Sequence, residues 1–181
     1  MPRPLRLQLA GGIFHITCRG NRRERIFLDT RDYLRFLAIL GDVVARFGWD
    51  CHTYCLMPNH AHLLIETPRE NLSEGMQRLN SLYAQYFNRR YDLIGHLFQG
   101  RFYSELVQRD AHLLEAIRYI VLNPVRAGLC AHAGQWRWSN YRAVVGAVPP
   151  PRFLRPDFVL SLFTDPVRSS RVAFAAFVDD G

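Results

Sequence analysis

The chain has 181 residues and is 49% hydrophobic, enough for one substantial core and too short for two full domains. Its 23 basic against 16 acidic residues give a net charge of +7, a balance that favours a polyanionic partner such as nucleic acid. No stretch approaches the length of a membrane span, and arginines interrupt the short apolar run of "MPRPLRLQLAGGIF", so neither a membrane anchor nor a secretory leader is expected.

After the basic start, "GGIFHITCRG" alternates around Phe14, Ile16 and Cys18 and predicts a first strand, with His15 and Thr17 on its other face. "NRRER" forms a basic loop. Thr30 is the expected N-cap of a first helix, buried through Leu34, Leu37, Ile39, Leu40, Val43, Val44 and Phe47 and stopped by Gly48. "WDCHTYCLM" and "HAHLLIET" predict a hairpin turning at Pro58-Asn59. Asn71 and Glu74 form a capping box for a second helix with Met76, Leu79, Tyr83, Tyr86 and Phe87 inward. "RFYSELVQ" is the fourth strand, and Asp110 caps a third helix expected to finish near Asn123, because Pro124 disfavours helical geometry before it. This order predicts an α+β, ferredoxin-like split βαβ sheet, with helices on one face and the other face open for function. After "PPP", the last residues have the length for two small helices.

The four cysteines, Cys18, Cys51, Cys55 and Cys130, have neither metal-motif spacing nor the density of a secreted scaffold, so reduced thiols in the cytoplasm are expected. Arginine supplies the cations, grouped at Arg19, Arg22, Arg23 and Arg25 and again at Arg89, Arg90 and Arg101. Its planar fork of donors suits phosphate.

In "CLMPNHAHLLIET", His60 and His62 stand two apart on a strand and therefore point the same way, opposite to Ala61, Leu63 and Ile65. Two imidazoles on one rigid face make a two-point clamp for a metal ion. The third helix offers them a partner: Leu113, Leu114, Ala116, Ile117, Ile120 and Val121 form its apolar arc, while His112, Glu115, Tyr119 and Asn123 follow one another on another face. A tyrosine ranked with polar residues is a candidate nucleophile. Its free pKa of about 10 calls for a nearby cation or base, which a divalent ion held by the histidines would supply. Asn123 is a candidate third ligand through its amide oxygen, and Glu115 a candidate ligand or base. Two imidazoles plus oxygens suit Mg2+ or Mn2+, with Zn2+ as an alternative.

"LMPNHAHLLIE", "NRRYDLIGHLFQGRF" and "RYIVLNPVRAGL", together with "HITCRGN", resemble the REP-associated tyrosine transposases, relatives of the insertion-sequence single-tyrosine HUH transposases. The similarity runs over roughly residues 3 to 146, so 1–146 is taken as the catalytic domain and 147–181 as a Pro-rich linker with a short helical tail. The resemblance implies metal binding by His60 and His62, and Tyr119 as a nucleophile that cuts single-stranded DNA beside a hairpin, leaving a 5′-phosphotyrosine link and a free 3′-hydroxyl. It implies palindromic repeats on the nucleoid as the partner, and, since related enzymes can exchange the tyrosine helix between subunits, either a homodimer or a monomer. Insertion-sequence relatives have glutamine where this chain has Asn123. Arg19, Arg22, Arg23, Arg89, Arg90 and Arg101 are candidate phosphate contacts, Phe98, Phe102 and Tyr103 candidate stacking platforms, and His96 and Gln99 are added by the resemblance alone. Two rivals share the basic residues: a hairpin-binding regulator that does not cut, and an RNA-binding sheet.

Overall fold

In the computed structural model, which describes residues 9–108, 111–164 and 168–181, a four-stranded antiparallel sheet organises the chain. Strand β1 (Gly12–Arg19) leads to helix α1 (Thr30–Phe47), the hairpin of β2 (Asp50–Met57) and β3 (His60–Thr67), helix α2 (Leu72–Tyr91), strand β4 (Tyr103–Val107) and helix α3 (Ala111–Arg126). The spatial order β2-β3-β1-β4 puts the first strand in the middle and the last beside it, the split βαβ arrangement predicted from the order of elements.

Alternation along the strands sorts the side chains between two cores. Phe14, Ile16 and Cys18 of β1 and Ala61, Leu63 and Ile65 of β3 pack under α1 and α2, against Phe36, Leu40, Leu79 and Tyr83. The opposite face is not open along its whole width as expected. Ile13, Cys55, Met57, Leu64 and Val107 are covered by Leu113, Ile117, Ile120 and Val121 of α3. Behind α3 lie α4 (Tyr141–Val144), α5 (Pro156–Ser161) and α6 (Ser170–Asp179), which add Val144, Val159, Phe174 and Val178 to the same core. The two helices foreseen in the tail are thus packed against the body. Residues 136–155 also cover the outer edge of β2: Leu56 N–H donates to Trp138 O at 2.9 Å, Arg155 N–H to Cys51 O at 2.9 Å, and Asn140 Oδ1 accepts from Tyr54 N–H at 3.1 Å. A long edge strand is thereby closed to intermolecular pairing.

Several local expectations change. Asp29, not Thr30, caps α1, accepting from Arg31 N–H at 2.9 Å and Asp32 N–H at 3.3 Å. The buried stripe of α1 is rotated as well: Leu34 is exposed, whereas Asp32, Tyr33 and Phe36 face inward. The buried Asp32 carboxylate accepts from Leu28 N–H, Tyr86 Oη–H, Tyr91 Oη–H and Arg90, and Tyr33 stacks between Phe27 and Trp138. A satisfied polar anchor outweighs one exposed leucine. Tyr86, held at this network, is only partly buried.

Asn71 stands at the start of α2 but makes no capping bond; its Oδ1 accepts from Trp49 Nε1–H at 2.7 Å and its Nδ2–H donates to Phe47 O at 3.0 Å. Helix α3 runs past Pro124 to Arg126 instead of ending at Asn123. Pro124 removes one N–H, but it is itself buried, Leu122 is buried beside it, and Ala127 and Leu129 N–H groups take up the Asn123 and Pro124 carbonyls. The expected cap Asp110 lies outside the described residues.

Gly75 shows what α1 and α2 require of each other: a Cβ there would lie 2.2 Å from Cζ2 of Trp49, a ring fixed by its bond to Asn71. Helix propensity alone predicts that Gly75→Ala stabilises by about 1 kcal/mol. The packing predicts the opposite, a net loss of about 1–3 kcal/mol, to be read from urea unfolding.

Candidate active site

Residues from β1, β3, β4 and α3 meet where α3 leaves the second sheet face uncovered. The register pairs Thr17 with His62 and Arg19 with His60, and on the other side of β1 it pairs His15 with Glu105. Even spacing puts all of these on one face, so His15, Thr17 and His62 form a floor. Tyr119 comes down from α3 as one wall: its ring centroid is 5.7 Å from His62 and 5.8 Å from His15, both edge-on. The rings of His60 and His62 lie 4.8 Å apart. The phenol is 43% exposed although the helix around it is buried, so it is open to a large ligand. Arg126, two turns further along α3, places its guanidinium 5.5 Å from the centre of the same ring. A cavity of about 890 Å³ lies over this floor, walled by His112, Glu115 and Tyr119 on one side and by Gln99, Arg101 and Tyr103 on the other.

The imidazoles are held in the form a metal needs. Burial pushes His62 down to about 2, helped by the positive charge His60, His15 and Arg19 would bring. His60 is lowered first by burial and then by Arg19, while a hydrogen bond to the Asn123 side chain works the other way. Neutral rings keep a lone pair for coordination. His62 Nδ1 is engaged by His15 Nε2 at 3.0 Å and Thr17 Oγ1 at 3.2 Å, and His60 Nδ1 by Asn59 Oδ1 at 2.6 Å. A proton on His62 Nδ1 would leave its Nε2 for a ligand, the orienting arrangement typical of ligating histidines, whereas His60 is engaged by both Asn59 and Asn123. Among the described residues no group of three or more His, Cys, Asp or Glu side chains is placed to hold a metal ion. The pair would therefore draw further ligands from an amide such as Asn123, from water or from substrate oxygen, and the donor set fits a hard divalent cation on that basis.

The sequence-predicted residues divide. His60, His62, Tyr119 and Asn123 come together at one corner, with Asn123 bonded to His60. His112 and Glu115 line the cavity further along α3, and the Glu115 carboxylate is already bonded by Arg118 at 2.5 Å. Arg19, Gln99 and Arg101 also line the cavity; Arg22, Arg23, Arg89 and His96 are exposed outside it. Phe98 and Phe102 are core residues, 9% and 6% exposed, because each points under α2; only Tyr103, 62% exposed, remains free to stack. His15 and Thr17 were legible as open-face residues but had no assigned role, since nothing short of the strand register reveals that they hold His62.

Arg90 is a correction of another kind. Its guanidinium bonds both Asp29 and Asp32 and lies 4.9 Å from the Tyr91 ring centre, so it ties α2 to the start of α1 rather than facing a phosphate. This bond holds Asp29 down to about 2. A depressed carboxylate contributes stability above its unfolded pKa of about 3.9 and loses it as pH falls through the folded value. Arg90→Met should therefore melt below wild type at neutral pH, and the part of the gap carried by Asp29 should close between about pH 4 and pH 2. Thermal melts across that range check it.

A family model described as "Transposase IS200 like" matches residues 9–123, from β1 through Asn123. A Haemophilus influenzae protein that bears the name REP-associated tyrosine transposase is 26% identical over 151 residues, covering 76% of this chain and 84% of that one. A solved structure of a REP-associated tyrosine transposase bound to a REP hairpin superimposes with a TM-score of 0.68 at 20% identity, covering 83% of this chain and 89% of that one, and so shares the fold. With the family match spanning every strand and α3 as far as Asn123, the chain belongs to the IS200-like transposase family.

Proposed function

We propose that the protein is a metal-dependent endonuclease and strand transferase for single-stranded DNA at hairpins of palindromic repeats, working through a 5′-phosphotyrosine on Tyr119. One observation carries this reading: a solvent-open phenol stands edge-on to a buried, neutral imidazole whose strand neighbour presents a second imidazole 4.8 Å away. Membership of the transposase family, a relative that bears the REP-associated name and a similar structure solved on a REP hairpin all support it.

The chemistry assigned to the chain is simple. Tyr119 gives up its Oη proton as Oη attacks the scissile phosphorus, the bond from phosphorus to the 3′-oxygen breaks, and the leaving 3′-oxygen takes up one proton in exchange to become a free hydroxyl. The new phosphotyrosine is still a phosphodiester, so a 3′-hydroxyl can reverse the attack and rejoin a strand with no outside energy source. Bound at His60 and His62, a divalent ion would polarise the phosphate and favour charge on its oxygens. His15 and Thr17 hold His62 in place, Asn59 and Asn123 hold His60, and the α3 backbone sets the height of the phenol above them. Arg19 and Arg101, at the mouth of the cavity, are placed to take phosphates on either side of the cut.

Incubated with Mn2+ and a hairpin oligonucleotide bearing a single-stranded flank, wild type should give a retarded covalent band on a denaturing gel. Tyr119→Phe should give none while binding the hairpin within about twofold of wild type, since only one oxygen is removed. An adduct of undiminished yield in that variant would refute the assignment, and binding without any adduct in wild type would favour the non-cutting regulator. Separately, His62→Ala should weaken Mn2+ binding, followed by electron paramagnetic resonance, by at least about tenfold.

A further inference from the structure

Far from Tyr119, the loop that joins α2 to β4 carries two large apolar side chains into solvent. Ile94 is fully exposed and Leu93 is 51% exposed; across a shallow cavity of about 520 Å³ lies Leu28, 47% exposed. Exposed isoleucine at a loop tip costs solvation, and a floppy loop would normally fold it under. This loop is not floppy in its connections. Asn88 Nδ2–H donates to Gly95 O at 2.9 Å, Leu93 N–H to Asn88 O at 2.9 Å, and Asn21 N–H to Leu97 O at 2.8 Å, while Gly95 takes a φ of +106° that a residue with a Cβ rarely adopts. The tip is built to stand out.

Its surroundings are basic. Arg22 and Arg25 line the same cavity and Arg23 stands beside them, all exposed and with no salt bridge among the described residues. Glu24 is the carboxylate between them. The cavity also continues toward the active site. It shares Asn21, Gly95 and His96 with a second groove of about 760 Å³, and that groove shares Gln99, Gly100 and Arg101 with the cavity over Tyr119. The tip and the cavity over Tyr119 are thus linked through the residues that line the groove between them.

We propose that Leu93 and Ile94 form an apolar wedge that packs against the base step where a DNA hairpin stem opens into its single-stranded flank, with Arg22, Arg23 and Arg25 holding the phosphates around it. This deepens the functional reading above and rests on its choice of DNA hairpins. A base step at a stem junction has one exposed π-face and is cheap to unstack, so it is the part of a hairpin that an aliphatic tip recognises and that a continuous duplex does not offer. The arginines give the attraction, and the wedge gives the preference for a junction.

The test uses the intact protein with its metal chelated, so that no cutting occurs. The probes are a DNA hairpin with a single-stranded 5′ flank and 2-aminopurine at the first unpaired position, and a blunt duplex of the same stem. Ile94→Ser, at a fully exposed position, should weaken junction-hairpin binding about five- to tenfold, abolish the 2-aminopurine fluorescence change and leave duplex binding unaltered. A double Arg22→Gln, Arg25→Gln variant should weaken both probes alike and flatten the salt dependence. Equal effects of Ile94→Ser on both probes, or none on either, overturn the wedge while leaving Tyr119 chemistry untouched. Wild type that binds no hairpin at all sinks the wedge and the functional reading together.

Discussion

Antiparallel pairing of β1 with β3 sets Thr17 opposite His62 and Arg19 opposite His60, and the geometry of the site follows from that register. Side chains alternate strictly along a strand, so a slip of one residue would turn His15 and Thr17 into the core and bring Phe14 and Ile16 out beside the histidines. The register is protected by what lies beneath it. Phe14, Ile16, Leu63 and Ile65 are almost wholly buried under α1 and α2, and moving them into water would cost several side chains' worth of transfer free energy, about 1.5–3 kcal/mol each. The apolar face thus fixes the polar one.

The second face solves a different problem. Here the phenol of Tyr119 is open to solvent while its backbone is held, and α3 achieves both by burying one side and exposing the other. Ile117, Ile120 and Val121 are sealed against β2 and β3 and against the small helices behind, and Tyr119 stands one step around the helix at the rim. Arg118, on the outer side, lies over Phe177 of α6 at 4.5 Å and bonds Glu115. The last turn survives Pro124 because its residues are packed, not because the sequence favours helix there.

Much of this could be read in the chain because periodicity and pairing follow from local rules. Two-residue alternation placed His60 and His62 together, and three-and-four spacing placed Tyr119 and Asn123 one turn apart. Their convergence depended on a resemblance, since no local rule says that α3 crosses the sheet beside β3. What local rules miss is partnership at a distance. Arg90 reads as one more surface cation until Asp29 and Asp32, 61 and 58 positions earlier in the chain, are found beside it. Phe98 and Phe102 look suited to stacking on bases until the fold turns them under α2, and His15 acquires its task only from the register that sets its strand beside β3.

Helix α3 packs on the sheet of its own chain, so the phenol and both imidazoles belong to one polypeptide. Within the single chain, the three rings meet at the rim of the core that α3 seals. Lifting α3 from the sheet would uncover Leu113, Ile117, Ile120 and Val121 together, so Tyr119 cannot leave the imidazoles without opening the second core.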